Sequence, residues 1–213
     1  MDLRRRIRFF GVALMLCWSL FVLYPNPLDL GVSVYRLFDP PIEPYHEKLE
    51  KFVNNSKGGH LEDPETFVRS NLPYRYDWEV YGMPWYFPTV EEVLLKSKGD
   101  CKAQSLLIAS LLELQGAPYR FFASPTHIWV DYEGKKARKN ENSEVALVVF
   151  GEEDLGLKRP DINWRNTLNT LKEAFWDHMP KKKKTSLVGG IVAGFLFIGF
   201  PGIIKDSSIK EME

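Results

Sequence analysis

Cys101 lies where a turn leads into an apolar helix, and the later run HIWVDY carries His127. Gly99 and Asp100 form the turn and the helix N-cap, because an aspartate side chain accepts hydrogen bonds from the free amides at a helix start. The leucine-rich sequence after the cysteine keeps helical spacing until Gly116 ends it. The pattern predicts a cysteine in the first turn of a helix and a histidine on a strand, which is the layout of a nucleophile and its base.

The helix start is the feature that would make this cysteine reactive. Unpaired amide hydrogens and the positive end of the helix dipole favour a thiolate, and a nearby imidazole lowers the thiol pKa further and transfers the proton. The structural alternative is that Cys101 is a small packed residue and His127 an ordinary strand residue. A metal site is less favoured, because neither residue has a companion at the spacing of a zinc motif.

A third group is needed to orient the imidazole, and the nearest acidic residue behind it is Asp131 in the same strand. Side chains four residues apart in a regular strand lie about 13 Å from each other, which excludes Asp131. We expect the orienting group on a neighbouring strand, reached through the turn at residues 133–135. One register of a two-residue turn pairs His127 with Asn142, and the other pairs it with Asn140. Either residue gives the papain-like Cys, His, Asn variant of the triad.

The run PTVEEVLLKSKGDCKAQSLLIASLLELQGAPYRFF and the later THIWVDY resemble the core of the transglutaminase-like superfamily, whose members share a papain-like Cys, His, Asp arrangement. The resemblance covers residues 63–150, including the aromatic lead-in before the cysteine. It implies a transglutaminase-like domain with the nucleophile at a helix N-terminus, packed on a small antiparallel sheet. It also implies acyl transfer, with Cys101 as nucleophile and His127 as base.

The resemblance further implies where the remaining site residues lie. The family's usual gap between histidine and aspartate favours Asn142 as the orienting residue, with Asn140 and Glu141 as alternatives. An oxyanion hole would use the amide of the cysteine itself and an upstream tryptophan, either Trp78 or Trp85. The alternative for both indoles is an aromatic wall over the core or along a substrate groove.

The surrounding pattern predicts helices before the cysteine and antiparallel strands after it, which together describe an α+β fold. The predicted helices cover residues 43–56, 64–71 and 89–97, the last with a capping box from Thr89 to Glu92. The predicted strands cover residues 118–123, 126–132 and 144–150. A last amphipathic helix at 161–177 is expected to pack beneath the domain or against lipid headgroups.

Both ends of the chain carry an apolar stretch next to a basic cluster. Residues 9–24 follow an arginine cluster, and residues 187–204 follow four lysines, Lys181 to Lys184. We predict an N-terminal transmembrane anchor over 1–26, a transglutaminase-like domain over 40–178 and a C-terminal transmembrane helix over 185–205. Gly190 and Gly194 have the spacing that permits close contact between two such helices.

The two basic clusters predict opposite orientations under the positive-inside rule. Because a long domain translocates with little regard to its charge and the first helix usually dominates, we place the arginine end in the cytoplasm and the domain outside. The lysine cluster favours the alternative, a cytoplasmic domain. Cys17 lies in the first apolar stretch and Cys101 is the only other cysteine, so no disulfide framework marks the compartment.

The composition limits the class of partner. The chain has 28 basic and 28 acidic residues among 213, so it lacks the basic surface typical of a nucleic-acid-binding protein. We therefore expect a membrane-anchored cysteine acyl-transfer enzyme acting on peptide or carboxamide substrates. The expected partners are the bilayer and a peptide or protein substrate, with no cofactor and no metal. The alternative is a non-catalytic, membrane-tethered binding or scaffold module of the same fold.

Overall fold

The computed structural model describes residues 3–44, 47–56, 63–136, 138, 141–150, 156–157 and 163–210. The chain divides into two compact units, one formed by residues 1–28 with 179–213 and the other by residues 29–178. Each unit has its own packing.

The described residues form helices and short strands in an α+β arrangement, as predicted. The helices are α1 (Leu3–Leu23), α2 (Leu28–Phe38), α3 (Glu47–Asn55), α4 (Pro64–Asn71), α5 (Asp77–Val80), α6 (Val90–Lys96), α7 (Cys101–Leu114), α8 (Trp164–Lys172) and α9 (Lys181–Lys210). The strands are β1 (Tyr119–Ala123), β2 (Ile128–Tyr132), β3 (Val148–Phe150) and β4 (Gly156–Leu157). A short 3₁₀ helix covers Ser143–Val145, and a π-helical turn, Glu173–Asp177, follows α8.

The first unit is a pair of antiparallel helices, α1 and α9. The indole N–H of Trp18 donates to the carbonyl of Ser186 at 3.1 Å. The two helices lie so close at Gly190 and Gly194 that a side chain would not fit there. A Cβ on Gly190 would overlap Trp18, and a Cβ on Gly194 would overlap Met15. The small-xxx-small spacing therefore lies at a helix contact.

Within the described residues, one helix, Arg5–Leu23, is long and apolar enough to cross a membrane, and an N-terminal signal sequence would have the same properties. The predicted C-terminal span over 185–205 lies inside α9. The arrangement with two spans stays a prediction.

The second unit packs its helices and sheet around α7, which is buried over almost its whole length. Leucines of α7 contact α4 on one side and the sheet on the other, so the helix is central. Glycine ends it as predicted: Gly116 follows Gln115 with a φ of 65°, a conformation that glycine adopts without strain. The capping box of α6 is also confirmed, with Thr89 and Glu92 bonding reciprocally.

The sheet has the order β2-β1-β3-β4, with all neighbours antiparallel. β2 pairs with β1 in a register that sets Ala123 opposite Ile128 and Phe122 opposite Trp129. The predicted hairpin between the histidine strand and the segment that follows it is therefore wrong. The turn at Gly134 forms, but none of the described residues after it pairs with β2, and the next strand, β3, joins the far side of β1.

Candidate active site

Cys101 is the first residue of α7, and the sequence before it determines that start. Asp100 is the N-cap, and its carboxylate accepts a hydrogen bond from the Lys102 backbone N–H at 3.0 Å. The residue before Asp100 must be glycine, because a Cβ on Gly99 would overlap the side chain of Ala103. The predicted position of the cysteine in the first turn of a helix is confirmed.

His127 lies in the tight turn between β1 and β2. The backbone N–H of Ser124 donates to the His127 carbonyl at 2.8 Å, and the N–H of His127 donates to the Ser124 hydroxyl at 3.0 Å. The backbone N–H of the next residue, Ile128, lowers the pKa of the Cys101 thiol. The Ser105 hydroxyl donates to the Ile128 carbonyl at 3.0 Å. These bonds join the start of α7 to the strand segment that carries the histidine.

The His127 ring has a neighbour on its face and another at its edge. It stacks on Trp129 with 5.8 Å between ring centroids and 12° between planes, and Trp129 stacks on Phe122 at 5.3 Å. The Nε2 atom lies 3.5 Å from Oε1 of Glu141, and neither atom has a hydrogen-bond partner within the described residues. Because Nε2 faces Glu141, Nδ1 is the ring nitrogen that remains for a thiol.

Glu141 is a buried carboxylate with a fixed countercharge. Lys135 Nζ lies 2.7 Å from its Oε2 atom, and the two side chains are only 7% and 4% exposed. Burial alone would raise the pKa of Glu141, but the adjacent His127 ring and the Lys135 ammonium outweigh it and lower the pKa to about 2. The residue that faces His127 is therefore ionised at neutral pH.

The structure does not place Asn142 beside His127. The Asn142 Oδ1 accepts the N–H of Glu144 at 3.0 Å and caps the 3₁₀ helix. The reason is the missing strand pairing, because the register that would have aligned residue 142 with His127 does not form. Glu141, an alternative in the prediction, occupies that place, and Asn140 lies outside the described residues. Asp131 pairs with Arg120 at 3.0 Å, in agreement with its exclusion.

A second buried group of charges lies next to the cysteine. The Lys102 ammonium lies between two carboxylates, bonding to Asp100 and to Oδ2 of Asp77, the latter at 2.8 Å. Oδ2 of Asp77 also accepts the backbone N–H of Tyr86 at 2.8 Å. Burial, followed by the charge of Asp100, raises the pKa of Asp77 to about 7 despite the ammonium. No sequence motif indicated this cluster, since Asp77 is 25 positions before Lys102 in the chain.

The environment of Cys101 differs from the predicted one. Burial and the Asp100 carboxylate raise the thiol pKa to about 12, whereas Lys102 and the Ile128 N–H lower it by less. The helix start still favours a thiolate, but burial of the sulfur and the two nearby carboxylates outweigh its effect on the thiol pKa. The resting form of this residue is the thiol.

A cleft of about 380 Å³ brings these groups together. Its lining includes Cys101 and His127 from the two sides of the site, Trp85 from the aromatic segment, and Leu171 and Phe175 from α8 and the π-helical turn. Most of the lining is apolar.

The two predicted oxyanion indoles differ in position. Trp85 lines the cleft, whereas the Trp78 N–H donates to the Phe175 carbonyl at 2.8 Å, so the cleft favours Trp85 of the two. Gln104, one helical turn after the cysteine, is buried and donates to the Leu72 carbonyl at 3.1 Å. It therefore serves the packing of α7.

Comparisons with known proteins give no relative from which a role could be transferred: no protein-family model, curated protein or solved structure matches this chain. Within the described residues, no group of three or more His, Cys, Asp or Glu side chains is arranged to hold a metal ion. The chemistry of the cleft must be inferred from its own geometry.

Proposed function

We propose that this protein is a membrane-anchored cysteine acyl-transfer enzyme of the transglutaminase-like type, acting on peptide or carboxamide substrates. One observation carries the proposal: His127 lines the same cleft as Cys101 and directs its Nε2 at the buried, ionised carboxylate of Glu141. A cysteine, an imidazole and an orienting acceptor are the parts of a papain-like triad.

The proposed reaction begins from the neutral thiol. His127 Nδ1 takes the Cys101 proton as the sulfur attacks the substrate carbonyl carbon, and the Cys101 backbone N–H donates to the oxyanion. The tetrahedral intermediate then breaks its C–N bond, and the imidazolium returns the proton to the leaving nitrogen. A thioester remains on Cys101. Water or an amine, deprotonated by His127, attacks the thioester and releases the thiol.

Glu141 is proposed to position the ring during this cycle. Its carboxylate accepts the Nε2–H hydrogen bond, which selects the tautomer with a free Nδ1 and stabilises the imidazolium formed in each half-reaction. The 3.5 Å separation is longer than a charge-assisted hydrogen bond, and such distances commonly shorten when substrate binds.

A second candidate function is a non-catalytic module that binds an apolar ligand in the same cleft. The observation that favours it is the thiol pKa of about 12, which leaves Cys101 unreactive unless His127 acts as its base. The mainly apolar cleft lining suits such a ligand.

Acylation of the purified protein by p-nitrophenyl acetate distinguishes the two functions, because release of nitrophenolate requires a nucleophile and no particular leaving amine. We expect a burst in the wild-type protein, none in Cys101→Ala and a strongly slowed one in His127→Ala. Asp131→Ala is the matched control, since Asp131 lies on β2, the strand that follows His127, and its pair with Arg120 is exposed. Equal release from the wild-type protein and Cys101→Ala would leave only the binding function.

We further propose two membrane spans, with α1 and α9 as a helical hairpin. The close approach at Gly190 and Gly194 supports this, since glycines that admit large side chains are typical of contacts between membrane helices. Lys183 Nζ donates to the Leu23 carbonyl at 3.4 Å, at the C-terminal end of α1 where a cation is favourable. Lys183 thus has a role at the C-terminal end of α1 that does not depend on which side of the membrane the domain occupies.

Because this contact gives Lys183 a role other than setting the orientation, we propose a cytoplasmic N-terminus with the domain outside. A cysteine at exposed Lys96, in a Cys17→Ser, Cys101→Ser background, should react with a membrane-impermeant maleimide on intact cells. A cysteine at position 2 in the same background should react only after lysis. The reverse pattern would show that the domain is cytoplasmic.

A further inference from the structure

Helix α8 exposes large apolar side chains along one face. Trp164 is 65% exposed, Leu168 60%, Leu171 43% and Phe175 37%. Their spacing of four, three and four residues places them in one row along the helix, which we call the apolar stripe. Asn166 lies on the opposite face. Exposure of this much apolar surface in one row indicates a surface that contacts something less polar than water.

The helix is well formed, and its two ends differ in what they contact. At the N-terminal end, the Asn163 side chain caps α8 by accepting the N–H of Asn166 at 3.2 Å. At the C-terminal end, the π-helical turn is bonded to the domain, because the Tyr76 hydroxyl donates to Glu173 at 3.0 Å and the Trp78 indole bonds to the Phe175 carbonyl. The most exposed part of the stripe is therefore the end farther from these bonds.

The length of chain after the stripe limits how far it can lie from a bilayer. Lys181, the first of four lysines that precede the apolar part of α9, is six positions after Phe175. Six residues span at most about 20 Å, which is comparable to the depth of a headgroup layer and the water beside it. Trp176, five positions before Lys181, is 37% exposed, and an exposed tryptophan close to a lysine cluster is a typical composition at a membrane interface.

We propose that the apolar stripe of α8 binds the lipid headgroup layer and lies in the plane of the membrane surface. The inference rests on the proposed membrane attachment through α1 and α9 and is independent of catalysis. A peptide or protein partner for the stripe is disfavoured, because the short connection to the lysines keeps the helix near the bilayer whatever else is bound.

The position of the stripe has a consequence for the substrate. Leu171 and Phe175 belong both to the stripe and to the lining of the cleft that holds Cys101. A stripe in the headgroup layer therefore places the cleft beside the membrane surface. Substrates would be peptide segments presented at that surface.

Site-directed spin labelling of the full chain in lipid nanodiscs tests this inference. Single cysteines at Leu168, Asn166 and Leu14 would be introduced into a Cys17→Ser, Cys101→Ser background, and collision rates with oxygen and with a nickel chelate would be measured. Leu168 is on the stripe, Asn166 is its matched control on the opposite face, and Leu14 is an exposed residue of α1 that reports anchoring. These three are surface positions, so the fold should tolerate the label.

We expect the Leu168 label about 5–10 Å below the lipid phosphates and the Asn166 label in water. Equal access of the nickel chelate to Leu168 and Asn166, with Leu14 in lipid, would overturn the inference while leaving the anchoring intact. A Leu168 label shielded from both reagents would indicate a protein contact and would also overturn it. A Leu14 label in water would refute the anchoring on which the inference rests. None of these results depends on whether Cys101 is catalytic.

Discussion

Two buried carboxylates near the cleft, Glu141 and Asp77, have pKa values shifted in opposite directions. The pKa of Glu141 is lowered to about 2 and that of Asp77 is raised to about 7. Both side chains are almost fully buried, at 4% and 3% exposure, and burial raises the pKa of each. The difference comes from the balance of charges around each carboxylate.

Glu141 is a single carboxylate beside Lys135 and His127, whereas Asp77 shares the ammonium of Lys102 with Asp100. The first group favours a positive charge on the imidazole, and the second disfavours a negative charge on the neighbouring thiol. Together they keep the thiol neutral at rest and stabilise the positive charge that the ring gains when it takes the proton. The Glu141 cluster thus acts on the imidazole of His127, and the Lys102 cluster acts on the thiol of Cys101.

The largest effect is expected from removing the acceptor beside the histidine. Glu141→Ala should slow acylation of Cys101 by p-nitrophenyl acetate about 100-fold or more, because the ring loses the group that orients it as a general base. Glu141→Gln keeps a side-chain oxygen and should lose less. Asn142→Ala is the matched control and should stay close to wild type, since that side chain caps the 3₁₀ helix. If Asn142→Ala lost acylation activity and Glu141→Ala did not, Asn142 and not Glu141 would be the residue that orients His127.

A smaller effect is expected at the cysteine end. Asp77→Asn removes a carboxylate that raises the thiol pKa, so alkylation of Cys101 by iodoacetamide at mildly alkaline pH should become faster. The rate should rise about tenfold for each unit by which the thiol pKa falls. Asp131→Asn, a change of the same kind at the paired surface carboxylate, should leave the rate unchanged. Slower or unchanged alkylation in Asp77→Asn would show that Asp77 does not control the thiol.

The smallest effect is expected in the acid stability of the domain. The pKa of Glu141 is depressed from an ordinary value of 4.5 to about 2, so its ionisation contributes stability above the ordinary value that is lost as the pH falls toward 2. Chemical denaturation in detergent should give wild type an advantage over Glu141→Gln of about 1–3 kcal/mol at neutral pH. That advantage should shrink between pH 4.5 and pH 2. If the stability difference between wild type and Glu141→Gln did not change with pH, it would come from packing and not from the ionisation of Glu141.

Local signals in the sequence were sufficient for much of the fold. The cap at Asp100, the capping box at Thr89 and the stop at Gly116 all depend on residues within one helical turn, and each is present as predicted. The turn at Gly134 is also local, and it forms. Strands β1 and β2 were predicted from composition to within two residues, but the predicted strand at 144–150 is strand only over Val148–Phe150 because Ser143–Val145 forms a 3₁₀ helix, and β4 was not predicted.

Features that depend on long-range pairing were not predictable in the same way. The residue facing His127 depends on how the chain returns after the Gly134 turn, and a turn does not determine whether the next segment pairs as a strand. Lys135 donates to the Val130 carbonyl and pairs with Glu141, so side chains replace the expected strand pairing. The charge cluster at Lys102 likewise joins residues from different helices, and the opposed pKa shifts follow from contacts that no spacing encodes.

The pH dependence of Cys101 acylation in the wild-type protein and in His127→Ala tests the central claim most directly. A buried thiol with a pKa of about 12 reacts at neutral pH only if a base takes its proton. We predict a wild-type rate that is substantial at neutral pH and changes little into the alkaline range. The His127→Ala rate should be very low at neutral pH and rise steadily as the pH approaches the thiol pKa. Identical profiles in the two proteins would contradict the claim that His127 is the base for Cys101.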